Sequence, residues 1–247
     1  MQRRPAGLAT LQARIRAIEL GGTKAPGTLV PFGVAAIDDA LPGGGLVRGA
    51  LHEITGETVI GGAATGFAAA LAAHLATPAR PLVLWCLGSN NLYAPGLPAF
   101  GLDPSRLLVV RARRPTKALW VAEESLRADC LAAVVCESDV TDLVASRRLH
   151  LAARERDTAC LLLTPANARG AATATTRWRV APAPTQPSIG DTPGMTRWRL
   201  TLAHCRGGSA PRQWRLDWTH ETGDFALATP LANRRRATAL ANLRRAG

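Results

Sequence analysis

The chain has 247 residues, enough for one large α/β domain with appendages, and at 47% hydrophobic it can bury a full core. No run of about 18 apolar residues occurs, so no membrane span is expected. The N-terminus MQRRPAGLATLQARIRAIEL lacks the continuous apolar stretch of a secretory signal. The net charge of +12 is uneven: residues 51–150 balance, whereas residues 197–247 carry +7. A basic surplus of this kind favours nucleic acid or an acidic protein partner. A compositional bias towards Arg and Ala is the competing reading. The five cysteines form no C-x-x-C pair or ligand cluster, so reduced thiols, no metal and a cytoplasmic setting are expected.

Residues 8–20 read as an amphipathic helix with Leu8, Leu11, Ile15 and Ile18 on one face, ended by Gly21-Gly22. Its stripe can pack on its own core or dock on another molecule. Residues 23–28 look like a linker. A short helix is expected around residues 36–41, then a turn at Gly43-Gly44-Gly45 and a strand from Gly49 into Gly56. After a loop of small residues, Phe67, Leu71 and Leu75 at i, i+4 and i+8 predict a helix. Pro81–Leu87 is a continuous apolar run, as a strand buried on both faces requires, and Arg106–Val110, Leu131–Cys136 and Ala159–Leu163 read as further strands. Residues 90–103 are broken by prolines and carry short helical pieces at most. Helices are expected at 116–127, with Leu119, Glu123 and Arg127 at helical spacing, and at 140–156, with Leu143, Leu149 and Ala152 inward. Such alternation means a mostly parallel sheet with helices on both faces.

From residue 176 the texture changes. TRWRV, TRWRLTL and QWRLDW alternate bulky apolar residues with Arg or Thr, the pattern of antiparallel strands at a sheet margin, and residues 225–227 add a last short piece. Trp178 and Trp198, each flanked by arginines, could stack on bases; alternation favours tryptophan inward and arginine outward. Residues 231–247 form a basic tail whose Arg234, Arg235, Arg236, Arg244 and Arg245 could contact DNA or an acidic partner. The expected division is thus an N-terminal helix and linker at 1–24, a core at 25–230 and the tail at 231–247.

The order of turn, strand, small-residue loop and helix over residues 28–76 resembles the start of RecA-type ATPase cores, up to Gly56. A phosphate loop needs backbone N–H groups facing the phosphates, a Lys for the β/γ phosphates and a Ser/Thr hydroxyl for Mg²⁺. Here the loop reads GETVIGGAATGF; Gly56, Gly61, Gly62 and Gly66 remain, but no Gly-Lys-Ser/Thr does. The two lysines, Lys24 and Lys117, lie elsewhere, and the planar fork of Arg is no substitute. The loop reads as a relic without nucleotide; weak binding through backbone amides at a helix N-terminus is the alternative. By the same resemblance a catalytic Glu should follow the strand at 81–87, yet no carboxylate occurs between Glu57 and Asp103. Glu137 could replace the Mg²⁺-orienting Asp, or it is merely a polar residue at a strand end. The five histidines are scattered and form no ligand set.

The resemblance to RecA extends over residues 8–227, with the DNA-binding loops shortened to 166–175. Within that frame the chain is similar to the ImuA family. The similarity rests on the L-x-x-L-x-x-x-I-x-x-I helix at 8–18, VAAIDDALPGGGLVRGALHEITGE, AATGF at 63–67, SRRLHLAARER at 146–156 and the paired TRW segments. The resemblance implies an α/β, RecA-like P-loop ATPase-type core with a degenerate phosphate loop, no cofactor and no catalytic residues. It implies an accessory role in damage-induced (SOS), error-prone translesion DNA synthesis. The expected partners are an inactive Y-family polymerase homologue of the ImuB type, indirectly an error-prone replicative-type polymerase, RecA, and DNA, in a cytoplasmic, nucleoid-associated setting. A DNA-binding protein or weak ATPase of recombination is the alternative.

Overall fold

The computed structural model describes residues 27–57, 62–88, 92–138, 142–168, 170–185 and 195–228. The stripe of Leu8, Leu11, Ile15 and Ile18, the loop residue Gly61, and Arg234, Arg235, Arg236, Arg244 and Arg245 lie outside them.

The chain enters through β1 (Leu29–Val30), which pairs antiparallel with β2 (Leu46–Val47). Between them lies the short helix α1 (Ala35–Asp38), where Asp38 accepts the Phe32 N–H at 2.7 Å. This small flap places Phe32 and Ile37, both buried, on the main core. Then come β3 (Leu51–Gly56), α2 (Ala63–Leu75), β4 (Leu82–Leu87), two 3-10 turns at Ala94–Phe100 and Pro104–Arg106, and β5 (Leu107–Arg111). Helix α3 (Pro115–Ser125), β6 (Leu131–Glu137), α4 (Leu143–Arg156) and β7 (Ala159–Thr164) follow. Four strands close the described chain: β8 (Thr176–Pro182), β9 (Thr196–Cys205), β10 (Arg212–Thr219) and β11 (Asp224–Leu227).

All strands from β3 onward join one sheet of order β11-β10-β9-β8-β3-β7-β6-β4-β5. It is parallel from β8 to β5 and antiparallel from β8 outward to β11. The expected mixed sheet is therefore present, with one correction. The first arginine-tryptophan segment, β8, is not wholly antiparallel: it runs parallel to β3, with His52 opposite Thr176, and turns antiparallel only towards β9.

Each sheet face has its own core. Helix α2 covers one face and joins the flap and the antiparallel strands. Its Ala68, Ala69, Ala70 and Ala72 are fully buried beside Phe67, Leu71 and Leu75. Side chains this small let the helix axis lie close to the sheet. Around it, Phe67 meets Trp198 edge-on at 5.6 Å and Trp218 meets Phe225 at 4.9 Å, spacings at which aromatic pairs attract beyond simple burial. Trp178 and Trp198 are 0% and 2% exposed, so they are core residues and are not available to stack on bases. Helices α3 and α4 cover the other face over Leu51, Cys86, Val134, Cys136, Cys160 and Leu162.

Two inward-outward expectations fail. Leu143 is 62% exposed; the inward residues of α4 are Ser146, Leu149, Ala152 and Ala153, so Leu149 and Ala152 are inward as expected. Leu143 directly follows the cap Asp142, which accepts the Ala145 N–H, so it stands at the very start of the helix. Arg197 points away from the aromatic core as alternation requires, yet it is buried, because Asp217 on β10 holds it in a bidentate pair at 2.5 and 2.7 Å.

Candidate functional site

The carboxyl ends of β3, β4, β6 and β7 form the region where an α/β sheet of this order would place a ligand. The sequence points there through the loop after β3. Gly56 closes β3, and Gly62 is the N-cap of α2, with Gly66 N–H donating to its carbonyl. In the spacing of a phosphate loop counted from Gly56, Gly62 occupies the lysine position and Ala63 the hydroxyl position. Neither can clamp a phosphate or a metal by its side chain. Gly66 is not a loop residue. It lies one turn inside α2, where an added Cβ would stand 2.7 Å from the Phe100 ring. Its glycine serves helix-to-loop packing.

The basic side chain shown to reach this loop is Arg199 from β9, and it is ion-paired with Glu57. A guanidinium committed to a carboxylate offers a phosphate little, so the pair neutralises the approach. At the other strand ends, Gly88 follows β4, and a Cβ there would meet the Glu137 carbonyl at 2.9 Å. Glu137, the candidate metal-orienting carboxylate, accepts the Trp85 indole N–H at 3.0 Å. Ser138 donates its N–H to Leu163 O at 3.1 Å, and Thr55 and Thr164 share a hydroxyl hydrogen bond at 2.8 Å. These polar groups hold the strand ends to one another. Among the described residues no group of three or more His, Cys, Asp or Glu could hold a metal.

Two buried polar chains lie beneath the site. Glu53, 1% exposed in β3, accepts from Thr164 Oγ at 3.2 Å, Ala171 N at 2.9 Å and Arg177 Nε at 2.7 Å. Three donors satisfy the carboxylate. They also tie the 165–175 connection to the sheet, and Ala171 and Ala174 are buried there. The described part of this connection is thus docked on the sheet. The second chain starts at Trp178, whose indole N–H donates to Thr176 Oγ at 2.7 Å. Thr176 Oγ and His52 Nδ1 are 2.8 Å apart, and His52 Nε2 is 2.8 Å from Val47 O. A carbonyl only accepts, so the proton is on Nε2; Nδ1 then accepts the threonine hydroxyl. Burial pushes the His52 pKa down to about 4, which fits a neutral ring. Neither chain opens to a ligand, and the sequence gives no sign of either, because their members lie far apart along it.

One basic feature is not apparent from the sequence. Arg179, Arg199 and Arg215 are exposed on the face of the antiparallel strands that turns away from α2, with Arg199 directly opposite Arg215. Like charges at such a position destabilise a sheet. Arg179 and Arg215 have no ion-pair partner among the described residues.

Fold and site together define an α/β protein with a mixed sheet flanked by helices, whose loop between β3 and α2 carries no Gly-Lys-Ser/Thr. The family described as MT3502 N-terminal domain matches residues 39–170, from the end of α1 to the 165–175 connection. Two relatives, both named Protein ImuA, from Caulobacter vibrioides strains NA1000 and CB 15, are each 36% identical over 241 residues. The match covers 90% of this chain and 98% of each relative. The chain belongs to the ImuA family. Among the described residues no helix is long and apolar enough to cross a membrane.

Proposed function

We propose that the protein is a non-catalytic, RecA-like accessory factor in damage-induced error-prone translesion synthesis. It acts through protein contacts, with an ImuB-type inactive polymerase homologue, with RecA, or with both. The carrying observation is the loop between β3 and α2. Strand, loop and helix keep their order, while glycine and alanine stand where lysine and hydroxyl are needed. Loss of the lysine removes the main electrostatic clamp on the phosphates, and no carboxylate follows β4 to activate water. Retention of the frame without its chemistry favours a scaffold. On this reading residues 1–24 are a docking helix and linker, residues 25–230 a RecA-like P-loop core, and residues 231–247 a basic tail.

The test is calorimetry with Mg-ATP. No heat of binding and no turnover are expected; a micromolar dissociation constant, or turnover abolished by a loop substitution, would overturn the reading. A second reading, direct DNA binding, is favoured by one observation. Arg179 and Arg215 lie exposed on one sheet face with no ion-pair partner among the described residues, a charge that an adjacent polyanion would neutralise.

A further inference from the structure

The opposite margin of the sheet carries a different surface. β5 is an outer strand, so one row of its backbone N–H and C=O groups has no strand beside it among the described residues. Native sheets protect such a row with lysine, proline or inward charge. The middle of β5 has none of these. Leu108 and Val109, on opposite faces, are 46% and 44% exposed. Immediately after the strand, the chain turns into α3 and lines an open cleft of roughly 690 Å³. Arg111, Arg113, Arg114 and Lys117 face it, with Trp120, which is 58% exposed, one turn beyond. No carboxylate lines the cleft among the described residues. None of the four cations forms an ion pair among the described residues.

These features select one occupant. A second copy joined through the same edge would set cations against cations. A nucleic acid would use the arginines but leave Leu108, Val109 and the open backbone row uncovered. An extended peptide uses all of them, because its main chain can pair with β5 while alternate side chains face each side. We propose that the β5 edge and the adjoining cleft bind an acidic, extended segment of a partner protein by strand addition. Apolar residues of the segment cover Leu108, Val109 and Trp120, and its carboxylates meet Arg111, Arg113, Arg114 and Lys117. The surface stands whatever assembly the chain serves, since its test involves neither nucleotide nor polymerase.

The probe is a fluorescent peptide alternating glutamate with valine, titrated into the full chain and followed by anisotropy and by amide hydrogen exchange. The expected result is saturable binding with slowed exchange at residues 107–111. Arg113→Glu with Arg114→Glu should weaken it by about tenfold or more, and so should Leu108→Asp, which places a like charge on the edge. Both changes are at exposed positions, and an unchanged thermal midpoint checks the fold. Absence of binding, or binding without protection of residues 107–111, would overturn the proposal. Protection produced by oligothymidylate and not by the peptide would overturn it in favour of a nucleic-acid surface.

Discussion

His52 shows how one residue converts burial into a pH dependence. Its ring is wholly buried, and accepting the Thr176 hydroxyl at Nδ1 requires the neutral form, whereas the Nε2–H bond to Val47 favours the charged form but does not outweigh burial. The folded pKa is about 4 against 6.5 in the unfolded chain. Between these values the unfolded state binds a proton that the folded state refuses, so stability rises with pH across the window. The contribution is complete above pH 6.5 and disappears as pH falls to about 4, worth about 3 kcal/mol at most. His150 adds in the same direction: burial first, then Arg206 and Arg154, push it to about 4. Urea unfolding at a series of pH values should therefore show a steeper loss between pH 6.5 and 4 in the wild type than in His52→Asn. Equal slopes would mean that the ring titrates normally inside the fold.

At the scale of elements, α2 carries the tightest constraint. Ala68 is fully buried on α2, the helix whose Phe67 packs against Trp178 and Trp198 of the sheet. Ala68→Leu should cost about 1–3 kcal/mol through overpacking, read as a lowered urea midpoint at constant slope. A neutral result would show a loose interface. This helix is legible in the sequence because Phe67, Leu71 and Leu75 repeat at helical spacing, and the central strands β4, β6 and β7 are legible as uninterrupted apolar runs. The direction of β8 is not legible. Period-2 alternation reports that one face is uncovered, and a strand bounding a parallel sheet meets that condition whichever way it runs. The exposure of Leu143 escapes the pattern because it is the first residue of α4, beside the Asp142 cap; Leu149 and Ala152 further along are inward as their spacing predicts. At the site, the missing lysine can be read directly. The engagement of Glu137 by Trp85 and of Arg199 by Glu57 cannot, since each pair meets only through the sheet register.

Taken as a whole, the molecule has a near-neutral parallel half and a cationic remainder, and the remainder has two separable parts. One is the sheet face of Arg179, Arg199 and Arg215; the other is the terminal group Arg234, Arg235, Arg236, Arg244 and Arg245, beyond the described residues. Arg199 is partly spent on Glu57, whereas Arg179 and Arg215 are not paired among the described residues. The tail lies beyond the last described strand, β11, and Leu231, Leu240 and Leu243 are its only large apolar residues. Replacing the five tail arginines by glutamine should therefore leave the thermal midpoint unchanged. If the tail binds single-stranded DNA, log K against log salt should flatten by roughly 0.7 for each phosphate the variant no longer neutralises. Arg179→Gln with Arg215→Gln is the matched variant on the folded face. Flattening confined to the face variant would move DNA binding from the tail to the sheet. An unchanged slope in both would mean that the +12 charge reflects arginine-rich composition and that the chain works through protein surfaces.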